Sequence, residues 1–123
     1  MQHSLNKRER LRNKQYIQTL FSKGKAFFVA PIQLIIRADD EQAAHMIKVG
    51  FAAPKKKYPK AVQRNSIKRL CKEAYRLQKN ELHALLNPNH SWHIMIVYSG
   101  KEMISLTDLQ KAMLKVFTKA ANG

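Results

Sequence analysis

The stretch Trp92-His93-Ile94-Met95-Ile96-Val97-Tyr98 is apolar on both alternating sets of positions. Successive side chains of a strand point to opposite faces, so a strand that is apolar on both needs neighbours above and below it. It therefore belongs in the middle of a sheet, and the rest of the chain must supply flanking strands and helical cover.

The flanking strands lie upstream. Phe27-Phe28-Val29 and the run from Pro31 through Arg37 are β-like, with a proline that suits a sheet edge or a strand start. Asp39-Asp40-Glu41 makes the turn, and another strand covers about His45 to Ala53. Ile47, Val49 and Phe51 share one side of that strand, opposite the weaker set Met46, Lys48, Gly50 and Ala52, so one face of the sheet is less covered than the other.

Helices account for the remainder. Asn13 can cap a helix over roughly 14–23, with Tyr16, Ile17, Leu20 and Phe21 at helical spacing and Gly24 as a left-handed stop. Ser105 and Asp108 form a near-capping box, and Leu109, Ala112, Met113, Val116 and Phe117 make the apolar side of a last helix reaching about Lys119. Between them a helix starts near Ala61 and is expected to run on until Asn87-Pro88-Asn89. The order is αβββαβα if the region from Phe27 to Arg37 holds two strands and αββαβα if it holds one. Either is an α+β chain, an α/β sandwich. A length of 123 residues with 45% apolar content suits one domain over 1–123, with 1–12 a flexible basic arm.

The helix from Ala61 also carries the strongest functional signal. Arg64, Lys68, Lys72 and Arg76 form a stripe at four-residue steps, while Ile67, Leu70, Cys71, Ala74 and Leu77 gather on roughly the opposite side. Like charges at that spacing repel by a few tenths of a kcal/mol per pair, roughly, so an outside anion is the natural counterweight. A solvated helix face is the plainer account. The whole chain carries 23 Lys+Arg against 8 Asp+Glu, a net charge of +15, and that excess favours a nucleic-acid surface. An anionic membrane is the weaker alternative, because it calls for a mobile amphipathic segment rather than charge spread over folded elements. With no secretory signal and no membrane span, a cytoplasmic setting is expected.

Catalytic chemistry is poorly provided for. The carboxylates Glu9, Glu73, Glu81, Glu102 and Asp108 are scattered, and Asp39, Asp40 and Glu41 share a turn, so no metal site is assigned. His90 and His93 have no cysteine or second pair to complete a zinc shell, and Cys71, the lone cysteine, reads as a small buried hydrophobe. No catalytic residue is assigned.

Val49-Gly50-Phe51, the basic loop with Lys55 and Lys56 between Pro54 and Pro59, and the run Ala61-Val62-Gln63-Arg64-Asn65-Ser66-Ile67-Lys68-Arg69-Leu70 resemble the central signature of the bacterial ribonuclease P protein subunit. The likeness extends over almost the full length. It implies a mixed sheet with a left-handed βαβ crossover, against the general right-handed rule. It also implies an RNA-binding subunit that assists a catalytic RNA in removing the 5′ leader of precursor tRNA. Cofactors bound by the protein are none, the RNA carrying Mg²⁺, and no membrane or obligate protein partner is implied. By motif, Lys55, Lys56, Arg64, Asn65, Lys68 and Arg69 face RNA, and Lys72 and Arg76 extend that surface. Ile17, Phe21, Gln33 and Ile35 match a cleft for the single-stranded leader, where Phe21 can stack on a base.

Three departures stand out against the family pattern. Ser66 occupies the third place of an Arg-Asn-Arg motif, losing one phosphate fork. Ile35 stands where relatives often have an aromatic, and the Pro54 to Lys60 loop is one residue longer. The rival functions are a ribosomal or RNA-chaperone protein without a substrate cleft, and a protein-only hydrolase, which the scattered carboxylates disfavour.

Overall fold

The computed structural model describes residues 14–39 and 46–123. The basic arm at 1–12, the Asn13 cap and the Asp40-Glu41 part of the first turn lie outside the described residues. The elements follow the order α1 (Lys14–Lys23), β1 (Lys25–Val29), β2 (Ile32–Asp39), β3 (Ile47–Ala52), α2 (Ala61–Leu77), α3 (Lys79–Ala84), β4 (Ser91–Tyr98) and α4 (Leu106–Asn122). The β-like region from Phe27 to Arg37 is thus two strands, hinged at Ala30-Pro31, whose peptide bond is cis.

The sheet order is β1-β2-β4-β3, with β1–β2 and β2–β4 antiparallel and β3–β4 parallel. β4 is interior, as its two-sided apolar sequence requires, and six of its residues from His93 to Tyr98 are buried in an unbroken run. The connection from β3 to its parallel neighbour β4 is the helical segment α2–α3.

Strand alternation divides the apolar residues between two sides. Ile32, Leu34, Ile36, Val49, Ile94, Ile96 and Tyr98 join the large core with Ile67, Cys71, Ala74 and Tyr75 of α2 and with Leu109, Met113, Val116 and Phe117 of α4. The opposite side holds a small cluster in which Ile35, Met95 and Val97 lie with Leu20, and Tyr16 and Ile17 pack against it. α4 starts as its sequence signals: Ser105 Oγ accepts the Asp108 N–H at 3.1 Å, and Ile104 packs on the core near Leu109.

Two local expectations are corrected. The basic helix does not run on to Asn87; it breaks at Gln78, whose φ of −128° is non-helical, and resumes as α3. Gln78 is buried and its amide Nε2 donates to Gln110 O of α4 at 2.9 Å, while the change of direction lets Leu82 and Leu86 reach the core. Gly24 is no left-handed stop, since no described glycine has a positive φ. Its N–H donates to Leu20 O at 2.8 Å, and an added Cβ would lie 2.5 Å from that oxygen and 2.9 Å from Ile35 Cγ2. Glycine is needed there for close approach, not for handedness.

Candidate nucleic-acid interface

The inner side of α2 is pinned by Ile67, Cys71, Ala74 and Tyr75, so the turns between them face outward by helical geometry. Asn65, Arg69 and Lys72 are exposed, and Lys68 is half-buried along its stem. The cationic stripe is not uniform. Arg64 sends Nη1 to both Tyr58 O and Pro59 O at 2.8 Å, tying the start of the helix to the preceding loop. Arg76 pairs with Glu73 through Nε at 3.1 Å and through Nη2, which raises its affinity for the proton further. The two ends of the stripe therefore stiffen the fold, and the centre presents charge outward.

Ser66 adds no outward donor, because its hydroxyl donates to Val62 O at 3.0 Å. Lys55 and Lys56 are exposed on the loop before α2. That loop is held by Lys57 Nζ donating to Ser99 O at 2.7 Å and by Tyr58, which is buried with its hydroxyl bonded to Gly100 O. Burial, with Tyr98 and Cys71 nearby, raises the Tyr58 phenol above its usual range. Cys71 is the buried hydrophobe its position suggests, its thiol pushed up to about 12 by burial.

The thinly covered face of the sheet is a grid whose rows are set by register. Arg37, His93 and Lys48 form one row, Ala26, Ile35, Met95 and Gly50 the next, and Phe28, Gln33, Val97 and Ala52 the third. α1 lies over the middle, touching β2 and β4. Of the four cleft residues expected from the sequence, Ile35 is buried beneath α1, Ile17 packs at the edge of the same cluster, and Gln33 is half-buried beside it. Phe21, one residue after the fully buried Leu20 and four after Ile17, is 53% exposed.

Two further side chains share this face. Lys48 places Nζ 5.5 Å from the centre of the Tyr16 ring, bringing a cation to the β3 side of α1. Phe28, opposite Gln33, is 52% exposed on the edge strand. Alternation with Gly50 and Ala52 was the sequence signal for Lys48; for Phe28 the signal was masked by the apolar run around it. His93, under the Tyr16 ring at 4.8 Å, is buried with Nε2 3.1 Å from Asp39 Oδ2 but without the alignment of a hydrogen bond. Burial lowers its pKa below 6.5, with Asp39 opposing and Lys48 and Arg37 reinforcing that shift.

Among the described residues no three His, Cys, Asp or Glu side chains gather as a metal site, and no helix is long and apolar enough to cross a membrane. What the geometry offers is an outward cationic helix centre and an aromatic-edged cleft. The sequence profile of the family described as Ribonuclease P matches residues 5–121. The chain belongs to the ribonuclease P protein family.

Relatives match from about two thirds to nearly all of the chain. A ribonuclease P protein component from Porphyromonas gingivalis is 34% identical over 120 residues, covering 97% of this chain and 88% of the relative. One from Chlorobium phaeobacteroides is 40% identical over 86 residues, covering 68% of this chain and 59% of that protein. In three dimensions the fold matches the RNase P proteins of Staphylococcus aureus and Thermotoga maritima. Each has a TM-score of 0.71 over 91% of this chain, at 19% and 20% identity, and 94% and 97% of those chains are covered. Membership makes this chain an RNA-binding protein component of ribonuclease P, the endoribonuclease of tRNA 5′ processing, with the enzyme's RNA as its partner.

Proposed function

We propose that the outward centre of α2, with Lys55 and Lys56, holds the catalytic RNA near the cleavage point, and that the α1–sheet cleft receives the single-stranded leader of precursor tRNA. Hydrolysis is carried by the RNA with its Mg²⁺, in the cytoplasm, and the protein supplies position and charge. The observation that carries the leader assignment is the contrast between Leu20 and Phe21. A large aromatic is left half in water beside a sheet face that one helix covers, where an unpaired base can stack on it.

Phe21 is the stacking residue, Gln33 offers an amide to a base edge, and Ile17 and Ile35 give the wall and floor. Asn65, Lys68, Arg69 and Lys72 meet ribose-phosphate, while Arg64 and Arg76, engaged within the protein, set the helix start and its last turn. Two of the described acids are engaged within the protein: Glu73 is tied to Arg76, and Asp39 lies against His93.

A leader-length series in the reconstituted holoenzyme tests the cleft. Preference for precursor over mature tRNA should grow over a few leader nucleotides and shrink in Phe21→Ala; a preference indifferent to leader length removes the assignment. If Lys55, Lys56, Lys68, Arg69 and Lys72 each meet one phosphate, log affinity for the RNA subunit falls against log salt with a slope of roughly −3.5 to −4.5. Cleavage of precursor by protein freed of RNA would transfer the chemistry to the protein.

A further inference from the structure

A second positively charged surface is built on α4. On α4, Lys111, Lys115 and Lys119 are exposed at four-residue steps and so form one row. The row borders β1, which among the described residues pairs only with β2 and so lies at the edge of the sheet. Lys119 Nζ reaches over to donate to Phe28 O at 3.2 Å, fixing the side of α4 on which the row runs. Near the start of α4, Lys111 and Lys115 line a hollow with Val29, Ala30 and Pro31; near its end, Ala120 and Ala121 line another with Lys25 and Phe27.

That second hollow is a cavity of about 440 Å³, within the size range of small-ligand sites. Phe27, Trp92 and His90 supply aromatic wall, and Lys23, Lys25 and Arg37 supply charge. Trp92 and His90 meet edge to face at 5.6 Å, and Trp92 Nε1 donates to Asn87 O at 3.0 Å, so the indole is held in place. Among the described residues no acidic side chain lines this cavity, and the partial negative charge at the end of α4 is outnumbered by the three cations. Glu102 and Asp108 are the acids at the other end, beside Lys101, Lys111 and Lys115.

We infer that the α4–β1 groove binds a single-stranded RNA segment, its phosphates along Lys111, Lys115 and Lys119 and one unpaired base in the cavity walled by Trp92, His90 and Phe27. An aromatic wall with a cationic rim suits a base and its phosphate, and a lysine row leading to it suits the neighbouring phosphates of a strand more than a free nucleotide. Ile36 and Trp92 of its wall point to the large-core side of the sheet, the face opposite Ile35 and Met95 of the cleft, while Lys23 at the end of α1 and Arg37 of the cleft-face row stand at its rim.

Trp92 is the only tryptophan, so its fluorescence reports on the cavity directly. The full chain is titrated with a short 5′-phosphorylated oligoadenylate and, in a second arm, with AMP. The oligonucleotide should quench Trp92 saturably, and AMP should do so at least about tenfold more weakly, as a base without its neighbouring phosphates. In K111Q/K115Q, two exposed changes whose folding is checked by thermal melting, the salt slope of oligonucleotide binding should shrink by about 1.4, at about 0.7 per single-strand phosphate. Unmoved Trp92 emission, AMP as tight as the oligonucleotide, or an unchanged slope in the variant would each overturn the inference. A 4-thiouridine oligonucleotide gives an independent reading: crosslinks to α4 and β1 support it, and crosslinks confined to α1 and α2 defeat it.

Discussion

The two faces of the sheet differ in how much protein lies on them. On one, α2 and α4 bury Ile94, Ile96, Tyr98, Tyr75 and Phe117 in a continuous core; on the other, α1 sets Leu20 into a small cluster with Ile35, Met95 and Val97 and lays Tyr16 over His93. The same strands contribute to both, so the difference comes from the helices. The thick side supplies stability, and the thin side keeps apolar and polar groups within reach of a ligand, a division that lets binding residues change without unfolding the domain.

The comparison would break most visibly at Phe117. Phe117→Ala should cost about 3–5 kcal/mol of unfolding free energy, measured by urea melts, because it opens a cavity in the sealed core. A loss no greater than that of an exposed substitution would mean that the core is not where the stability lies. Leu20→Ala should cost less, about 2 kcal/mol, since α1 can settle onto the sheet and water reaches its rim. If the two losses were equal, the faces would be energetic equals and the contrast would fail.

Phe21→Ala sharpens the contrast from the other direction. Its ring is half exposed, so stability should move by less than about 0.5 kcal/mol while leader affinity drops by about 1–3 kcal/mol. Destabilisation with unchanged leader binding would return Phe21 to the core. A subtler effect attaches to His93, whose pKa in the folded state is held below 6.5 by burial. The unfolded chain then binds more protons as pH falls through 6.5, so this residue draws stability down on acidification until the folded pKa is passed. His93→Gln should flatten that part of the stability–pH curve, and a wild-type curve of the same slope would exclude the histidine as its source. Least affected of all is Cys71: with its thiol pushed up to about 12 and buried, alkylation near neutral pH should proceed only as fast as the chain opens.

Much of this was legible because periodicity reports burial. The two-sided apolar run at Trp92 to Tyr98 required an interior strand, and the alternation around Lys48, Gly50 and Ala52 announced a face with less cover. Local chemistry was less reliable where a distant partner intervened. Gln78 breaks the basic helix because α4 offers Gln110 O, thirty-two positions away, and Gly24 is required by the closeness of Ile35 rather than by its own dihedral angle. Within the stripe on α2, spacing made Arg64, Lys68, Lys72 and Arg76 equivalent, and only packing separated the arginines bound to Tyr58, Pro59 and Glu73 from the lysines between them.

By itself, the order of residues determined where strands and helices lie, short of the split between β1 and β2 and the break at Gln78, which sides of them are apolar, and that a large positive charge must meet an anion; these follow from local stereochemistry and from composition. Tertiary structure alone decided the strand order, the exposure of Phe21 beside buried Leu20, and the meeting of α4 with the β1 edge. Each of those depends on surfaces far apart in the chain coming together, and no local pattern encodes which distant surface will arrive.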